Sequence, residues 1–258
     1  MYTTCSITNL SSASVLDLIA DARYVLTNIT GLHAPAGLLT QSPAAGGIDG
    51  SVITGTRRDT RNLVFTIRLV QDVEAARLNL YQILQTGAKV RFNYKLPSTP
   101  GLSIDGYVET AEINPFTQAE TMTVSIICPD PYFRDAAGKN ISITGAASGT
   151  IDNAKGLDAG IIVRITASGG SVKNPSITTP AGTTTLNLTI ASGKTLVISS
   201  NMGAKYVIYD GARCLPFSGL PSWPIIKARQ INAVTMGAAS GASNMRTSIE
   251  FRARYLGA

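Results

Sequence analysis

The sequence predicts a mainly β protein in two domains: a β sandwich or split barrel with one packed α-helix, then a second antiparallel β sandwich. Three observations carry the prediction. Hydrophobic residues make up 44% of the 258-residue chain and charged residues only 15%, so the polar surface comes mostly from Ser, Thr, Asn and Gly, which suits strands better than helices. Short apolar runs alternate with period two along much of the chain. A single segment carries a convincing helical period.

Val15, Leu16, Leu18, Tyr24, Val25 and Leu26 form short apolar stretches that end at Gly31, and the Pro/Gly/Ala segment from Ala34 to Gly50 reads as a long loose excursion. Leu63, Phe65, Ile67 and Leu69 then share one side of a strand. Asp72 to Gln85 is the helix: Asp72 is placed to cap its start, Val73, Ala76, Leu80, Ile83 and Leu84 form its apolar face, and Gly87 is placed to end it. From Ala88 to Lys95 the period returns to two. Ala88, Val90, Phe92 and Tyr94 face one way, and Lys89, Arg91, Asn93 and Lys95 the other. Two more strands follow, Ile104 to Ile113 and Glu120 to Cys128, the latter burying Met122, Val124, Ile126 and Cys128.

At Cys128-Pro129-Asp130-Pro131-Tyr132-Phe133 two prolines remove backbone donors and push the preceding residues toward extended geometry, so the sheet ladder stops. This places the domain boundary after Phe133, with domains over residues 1–133 and 134–258, and makes residues 128–133 an inter-domain joint. Beyond it, strands are expected at Ile161 to Ala167, Thr185 to Ile190, Leu196 to Ser199, Lys205 to Tyr209 and Thr247 to Tyr255. The Gly/Ala/Ser-rich stretch Thr235 to Asn244 is expected to be a mobile loop.

Charge separates the two domains. Residues 1–133 hold nine Lys/Arg against eleven Asp/Glu, and residues 134–258 hold thirteen against five, which together make the net +6 of the chain. No run approaches the roughly 18 apolar residues needed to cross a bilayer, and the start of the chain lacks the basic and apolar regions of a secretory signal, so synthesis in cytoplasm without membrane insertion is expected. Three widely spaced cysteines, Cys5, Cys128 and Cys214, form neither a disulfide framework nor a zinc pattern.

Catalytic machinery is not expected. The one histidine, His33, lies in a Gly-Leu-His-Ala-Pro segment that suits a turn or a subunit contact better than a general base. Cys128 closes an apolar strand face and reads as a buried small hydrophobe. The Asp-Gly pairs at Asp49, Asp105 and Asp210 fit turns and lack calcium-ligand spacing. No cofactor or metal is implied.

Several stretches, in order along nearly the whole chain, carry a resemblance. The most specific is SIICPDPYF (125–133), reached through IDGYVETAEINPF (104–116). RRDTRNLVFTIRL (57–69) and ARLNLYQIL (76–84) precede it, and NPSIT (174–178), LNLTIASGKTLVISS (186–200), YDGARCL (209–215) and FRARYLGA (251–258) follow. In this ordered combination the chain resembles the distal tail proteins of siphoviruses, the long-tailed bacteriophages. The resemblance implies a homohexameric ring at the distal end of the virion tail. The first domain is then tail-tube-like and forms the ring, and the second is a galectin-like sandwich at the periphery. The implied partners are the tail tube protein, the tail-tip protein and receptor-binding or other baseplate proteins, with DNA passing through unbound. SGLPSWPIIKARQINAV (218–234) departs from the family in lacking a Pro-Gly turn.

Within such a ring, Arg57, Arg58 and Arg61 read as an arginine cluster that meets carboxylates of the next subunit, against the simpler reading of a solvated loop neutralised by Asp59. Trp223, the sole tryptophan, sits between Pro221-Ser222 and Pro224 and reads as a packing anchor, or alternatively as a peripheral partner or glycan contact. Two rival functions remain: a carbohydrate-binding module of a host-surface attachment protein, and the hub of a contractile or phage-like particle.

Overall fold

The computed structural model describes residues 3–35, 37–43, 49–97, 100–113, 120–217 and 222–257. The chain is mainly β and divides into two compact units, Met1–Ala136 with Leu256–Ala258, and Ala137–Tyr255. The division falls three residues after the boundary expected at Phe133, and the last three residues of the chain group with the first unit.

The first unit contains β1 (Thr4–Asn9), β2 (Val15–Asp17), β3 (Tyr24–Thr30), β4 (Gly37–Pro43), β5 (Ser51–Arg58), β6 (Arg61–Leu69), α1 (Val73–Ile83), β7 (Lys89–Lys95), β8 (Leu102–Ile113), β9 (Thr121–Cys128) and β10 (Phe133–Asp135). Eight of these strands share one antiparallel sheet, seven of them in the order β2-β1-β7-β8-β9-β6-β3 and β10 alongside β8. Period-two alternation decides which way each faces: Leu63, Phe65, Ile67 and Leu69 of β6, Val90, Phe92 and Tyr94 of β7, and Met122, Val124, Ile126 and Cys128 of β9 are all buried. Each such side chain contributes about 1.5–3 kcal/mol when it leaves water. Phe65 and Phe92 meet edge to face with centroids 5.0 Å apart.

Helix α1 buries Ala76, Leu80 and Ile83 and lies against β2 and β6. Since β2 is one edge of the sheet and β6 lies next to the other, the sheet curls and the helix closes its open side, as a split barrel requires. Its start differs from expectation. Asp72 has left-handed dihedrals (φ 44, ψ 50) and makes no side-chain cap, because a capping carboxylate reaches the first-turn amides only from extended backbone. Its carbonyl still accepts the Ala76 N–H at 2.8 Å. Gly87 lies beyond the end of α1, and its N–H donates to the Val108 carbonyl at 2.8 Å.

Part of the expected excursion over Ala34 to Gly50 is ordered strand: Gly37–Pro43 forms β4, which pairs with β5 just beyond the stretch, with a register shift between Thr40 and Gln41. Residues 36 and 44–48 of that stretch lie outside the described residues. Asp105-Gly106 is no turn either. Both lie inside β8, where a Cβ on Gly106 would sit 2.6 Å from Ile126 Cγ2 and 2.8 Å from the Ile127 carbonyl. The glycine lets β9 side chains pack over the strand.

The second unit contains β11 (Lys139–Thr144), β12 (Ser148–Asp152), β13 (Ala159–Ala167), β14 (Val172–Thr179), β15 (Gly182–Thr185), β16 (Thr189–Ile190), β17 (Thr195–Asn201), β18 (Ala204–Tyr209), β19 (Ala212–Cys214), β20 (Ile225–Ile226), β21 (Ile231–Ser240) and β22 (Met245–Phe251). One sheet runs β11-β22-β13-β17-β18-β19, with β20 beside the start of β13, and the other runs β12-β21-β14-β15, with β16 also on β14. Ile161, Val163 and Ile165 of β13, Leu196 and Ile198 of β17 and Phe251 of β22 share one buried core with Val172 and Ile177 of β14 and Val234 and Met236 of β21. This is a two-layer sandwich. Asp210 (φ 47) and Gly211 (φ 86) form the two-residue turn between β18 and β19, where both central residues need positive φ.

The mobile loop expected over Thr235 to Asn244 is also corrected. Thr235 to Ser240 completes β21 and pairs with β14, and Ala242–Asn244 forms a single 3-10 turn. Small residues there serve close packing: a Cβ on Gly237 would lie 2.8 Å from Ser176 Oγ, and one on Gly241 would lie 2.0 Å from the Ser171 carbonyl.

Candidate functional site

Residues 128–133, expected to be a joint, lie wholly within the first unit. Cys128 ends β9, buried. Pro129 is exposed, Asp130 pairs with Arg134, Pro131 is buried, Tyr132 is half-buried, and Phe133 is fully buried at the start of β10. β10 then pairs with the start of β8, Arg134 opposite Ser103 and Asp135 opposite Leu102. The two prolines end one ladder, and the chain enters another two residues later.

Arg61 organises this region. It is only 3% exposed. Its Nε donates to the Pro131 carbonyl at 2.7 Å, Nη1 donates to the carbonyls of Gly31 and His33, and Nη2 donates to the carbonyl of Leu256. Burial pulls the guanidinium below its usual range. An arginine so committed cannot serve as an exposed interface group, so Arg61 separates from Arg57 and Arg58, which are exposed on β5 with no ion pair among the described residues. Asp59 forms no ion pair with them among the described residues; its carboxylate accepts the Thr60 N–H at 2.8 Å. The sequence does contain the signal: Arg61 occupies the same parity as Leu63, Phe65, Ile67 and Leu69, on the apolar side of β6.

The thiols are placed for packing. Burial, with Asp17 adding to it, pushes Cys5 up to about 12, and burial pushes Cys128 up to about 12. Cys214 is half-buried and also raised by burial. His33 is exposed before β4. Among the described residues no three His, Cys, Asp or Glu side chains gather as a metal site, and no helix is long and apolar enough to cross a membrane.

On the outer face of the first sheet, Arg91 and Asp105 stand opposite each other across β7 and β8, joined at 2.6 and 2.9 Å. Burial pushes the Asp105 carboxyl up, but the hydrogen bonds and charge of Arg91, aided by Lys89 and Arg134, hold it below its usual range.

In the second unit Trp223 is half-buried and packs against the sandwich core and Phe217, ring centroids 5.2 Å apart. Lys205 Nζ lies 5.9 Å from its centroid. Pro221, and with it part of the 218–234 segment, lies outside the described residues.

No family model and no curated protein matches the sequence. Solved structures do match. The Dit protein (gp 19.1) of phage SPP1, a paradigm of the hub adsorption apparatus in phages that infect Gram-positive bacteria, aligns with a TM-score of 0.69 at 14% identity, over 97% of this chain and 99% of that one. A chain of the phage P2 baseplate in its activated conformation with Ca aligns with a TM-score of 0.54 at 8% identity, over 99% of each chain. From end to end, the chain has the fold of the SPP1 hub protein Dit.

Proposed function

We propose that the chain is a structural hub of a phage tail tip. Six copies form a ring that prolongs the tail tube, the first unit making the ring and the second, a galectin-like sandwich, facing tip, receptor-binding or other baseplate proteins. The observation that carries this reading is the fold likeness to a phage hub protein, which runs through both units in sequence order. The protein then acts in the virion, at the distal end of the tail, by shape and assembly without catalysis or cofactor.

The β4–β5 hairpin supports association. Among the described residues its strands pair only with each other, and Leu39, Val52 and Ile53 are each more than half exposed. An isolated two-stranded hairpin is marginal in water, and clustered exposed apolar side chains favour a partner. A neighbouring subunit that covers the hairpin would also bring carboxylates to Arg57 and Arg58.

Charge fits the same division of labour. Residues 1–133 hold two more Asp/Glu than Lys/Arg, and a ring lining with little positive excess lets DNA pass, since each phosphate neutralised by a cation strengthens binding. The glycan-module alternative rests on Trp223, whose ring is already engaged by Phe217 and Lys205. Native mass measurement of the purified chain decides: the expected species has six times the 27.0 kDa chain mass. A strict monomer at high concentration would refute the hub.

A further inference from the structure

One sheet edge of the second unit holds, on an unfinished strand, two cations with no ion pair among the described residues. β18 pairs with β19 only from Tyr209 to Val207, where Cys214 ends β19. β18 continues for three more residues, Ala204–Tyr206, and among the described residues no strand pairs with them on that side. Leu215, the next residue of the departing chain, is 78% exposed. Lys205, Tyr206, Val207, Arg213, Cys214 and Leu215 line an open groove of about 430 Å³ along this edge.

Strand geometry sends adjacent side chains to opposite faces. Lys205 therefore lies on the face of Val207 and reaches toward Trp223, with Nζ 5.9 Å from the ring centroid. Tyr206 lies on the other face with Arg213, whose Cζ is 5.9 Å from the tyrosine centroid. Each cation is thus held over an aromatic ring, one on each face of the same edge.

Among the described residues neither forms an ion pair with a carboxylate. The sequence holds no Asp or Glu between Asp210 and Glu250. Asp210 pairs with Lys194 at 2.6 Å, Asp158 with Lys227 at 3.1 Å and Glu250 with Arg252 at 3.1 Å.

We propose that this edge is a docking site for an extended acidic peptide segment of a partner protein. The segment adds a strand beside Ala204–Tyr206, and its backbone satisfies the unpaired edge. Two adjacent acidic residues in that strand point to opposite faces and meet Lys205 and Arg213, while an apolar neighbour covers Leu215. A sugar ring fits less well because a cation already sits over each aromatic face. A compact polyanion fits less well because the cations lie on opposite faces. The inference extends the outward-facing role proposed for the second unit, but it does not depend on ring formation.

The probe is a fluorescein-labelled eight-residue peptide with a central Glu-Glu pair flanked by valines and threonines, titrated with the full chain and followed by anisotropy. Emission of Trp223, the sole tryptophan, gives a second readout with unlabelled peptide. Saturable binding is expected, weakened about two- to fivefold by each of Lys205→Gln and Arg213→Gln, the range for exposed ion pairs. Replacing Glu-Glu by Gln-Gln is expected to weaken binding about four- to twenty-five-fold, the product of the two ion pairs, and N-methylating alternate amides so that the strand cannot pair is expected to abolish it. Absence of saturable binding overturns the proposal. So does an N-methylated peptide or a glycerol-phosphate oligomer that binds as tightly as the parent peptide. Mass measured on the same samples reports ring formation separately, so failure of the edge site and failure of the hub are distinguishable.

Discussion

The Arg61 guanidinium lies 4.8 Å from the ring centre of Phe133, and the carbonyls it serves belong to segments far apart in sequence, around Gly31, Pro131 and Leu256. One side chain ties an early loop, the end of β9 and the last residues of the chain into the first unit. Burying a guanidinium is costly, and bonds to several carbonyls offset that cost.

Arg61→Met is expected to destabilise the first unit by about 2–4 kcal/mol, since several carbonyls lose a donor at once. Arg61→Lys is expected to recover little of this, because an ammonium group lacks the planar fork that reaches carbonyls in several directions. Urea unfolding of the full chain checks both. An R61K variant as stable as the parent would show that charge rather than geometry matters there.

Removing Leu256–Ala258 deletes one of the same acceptors from the first unit. The expected loss is about 1 kcal/mol from the first unit, with the second unit unchanged. The readout is amide hydrogen exchange, which separates the units, and faster exchange confined to the second unit would contradict the assignment of these residues. Fragments ending at Phe133 and at Ala136 both lack the Leu256 carbonyl, but the shorter one also lacks Arg134 and Asp135, which pair β10 with β8, so it is expected to be the less stable.

Gly106→Ala places a methyl group 2.9 Å from Cys128 Sγ, besides its contacts with Ile126 and Ile127. Overpacking of this kind costs about 1–3 kcal/mol. Thermal unfolding is expected to show a lowered midpoint for the first unit. An unchanged midpoint would mean that β8 and β9 separate easily there.

The Arg91–Asp105 pair sets a pH dependence with a definite sign. Asp105 titrates lower in the folded chain than when unfolded, so its contribution is fully present above the ordinary carboxylate range and is lost as pH falls through the lowered folded value. The pair is partly exposed, which keeps its contribution below about 1 kcal/mol. Asp105→Asn is expected to lower the unfolding midpoint near pH 7, and the difference from the parent is expected to shrink as pH falls below the ordinary carboxylate range. A difference that stays undiminished down to the acid limit of the folded chain would exclude this origin.

Ile53→Asp, on the exposed hairpin, is expected to lower the oligomeric mass while changing folding stability by no more than about 0.5 kcal/mol, as surface substitutions do. Sedimentation velocity together with urea unfolding separates the two effects. Intact oligomers would remove the hairpin from the proposed interface.

The sequence by itself determined the β class, the one helix and the facing of the long strands. Period-two runs such as Leu63 to Leu69 and Met122 to Cys128 expose their facing through local alternation alone, and Ala76, Leu80 and Ile83 do the same for α1. Tertiary structure decided what local pattern cannot encode. Arg61 sits at an apolar-face position, but its partners are carbonyls 28 to 195 residues away, and backbone acceptors leave no mark in side-chain sequence. The Gly/Ala run of β21 reads locally as flexible, yet small side chains are what close packing beside β14 demands. Asp105-Gly106 has the composition of a turn, but the strand continues because β9 crowds over the glycine and Arg91 stands ready across the ladder. In each case the deciding neighbour is distant along the chain, and only folding brings it within reach.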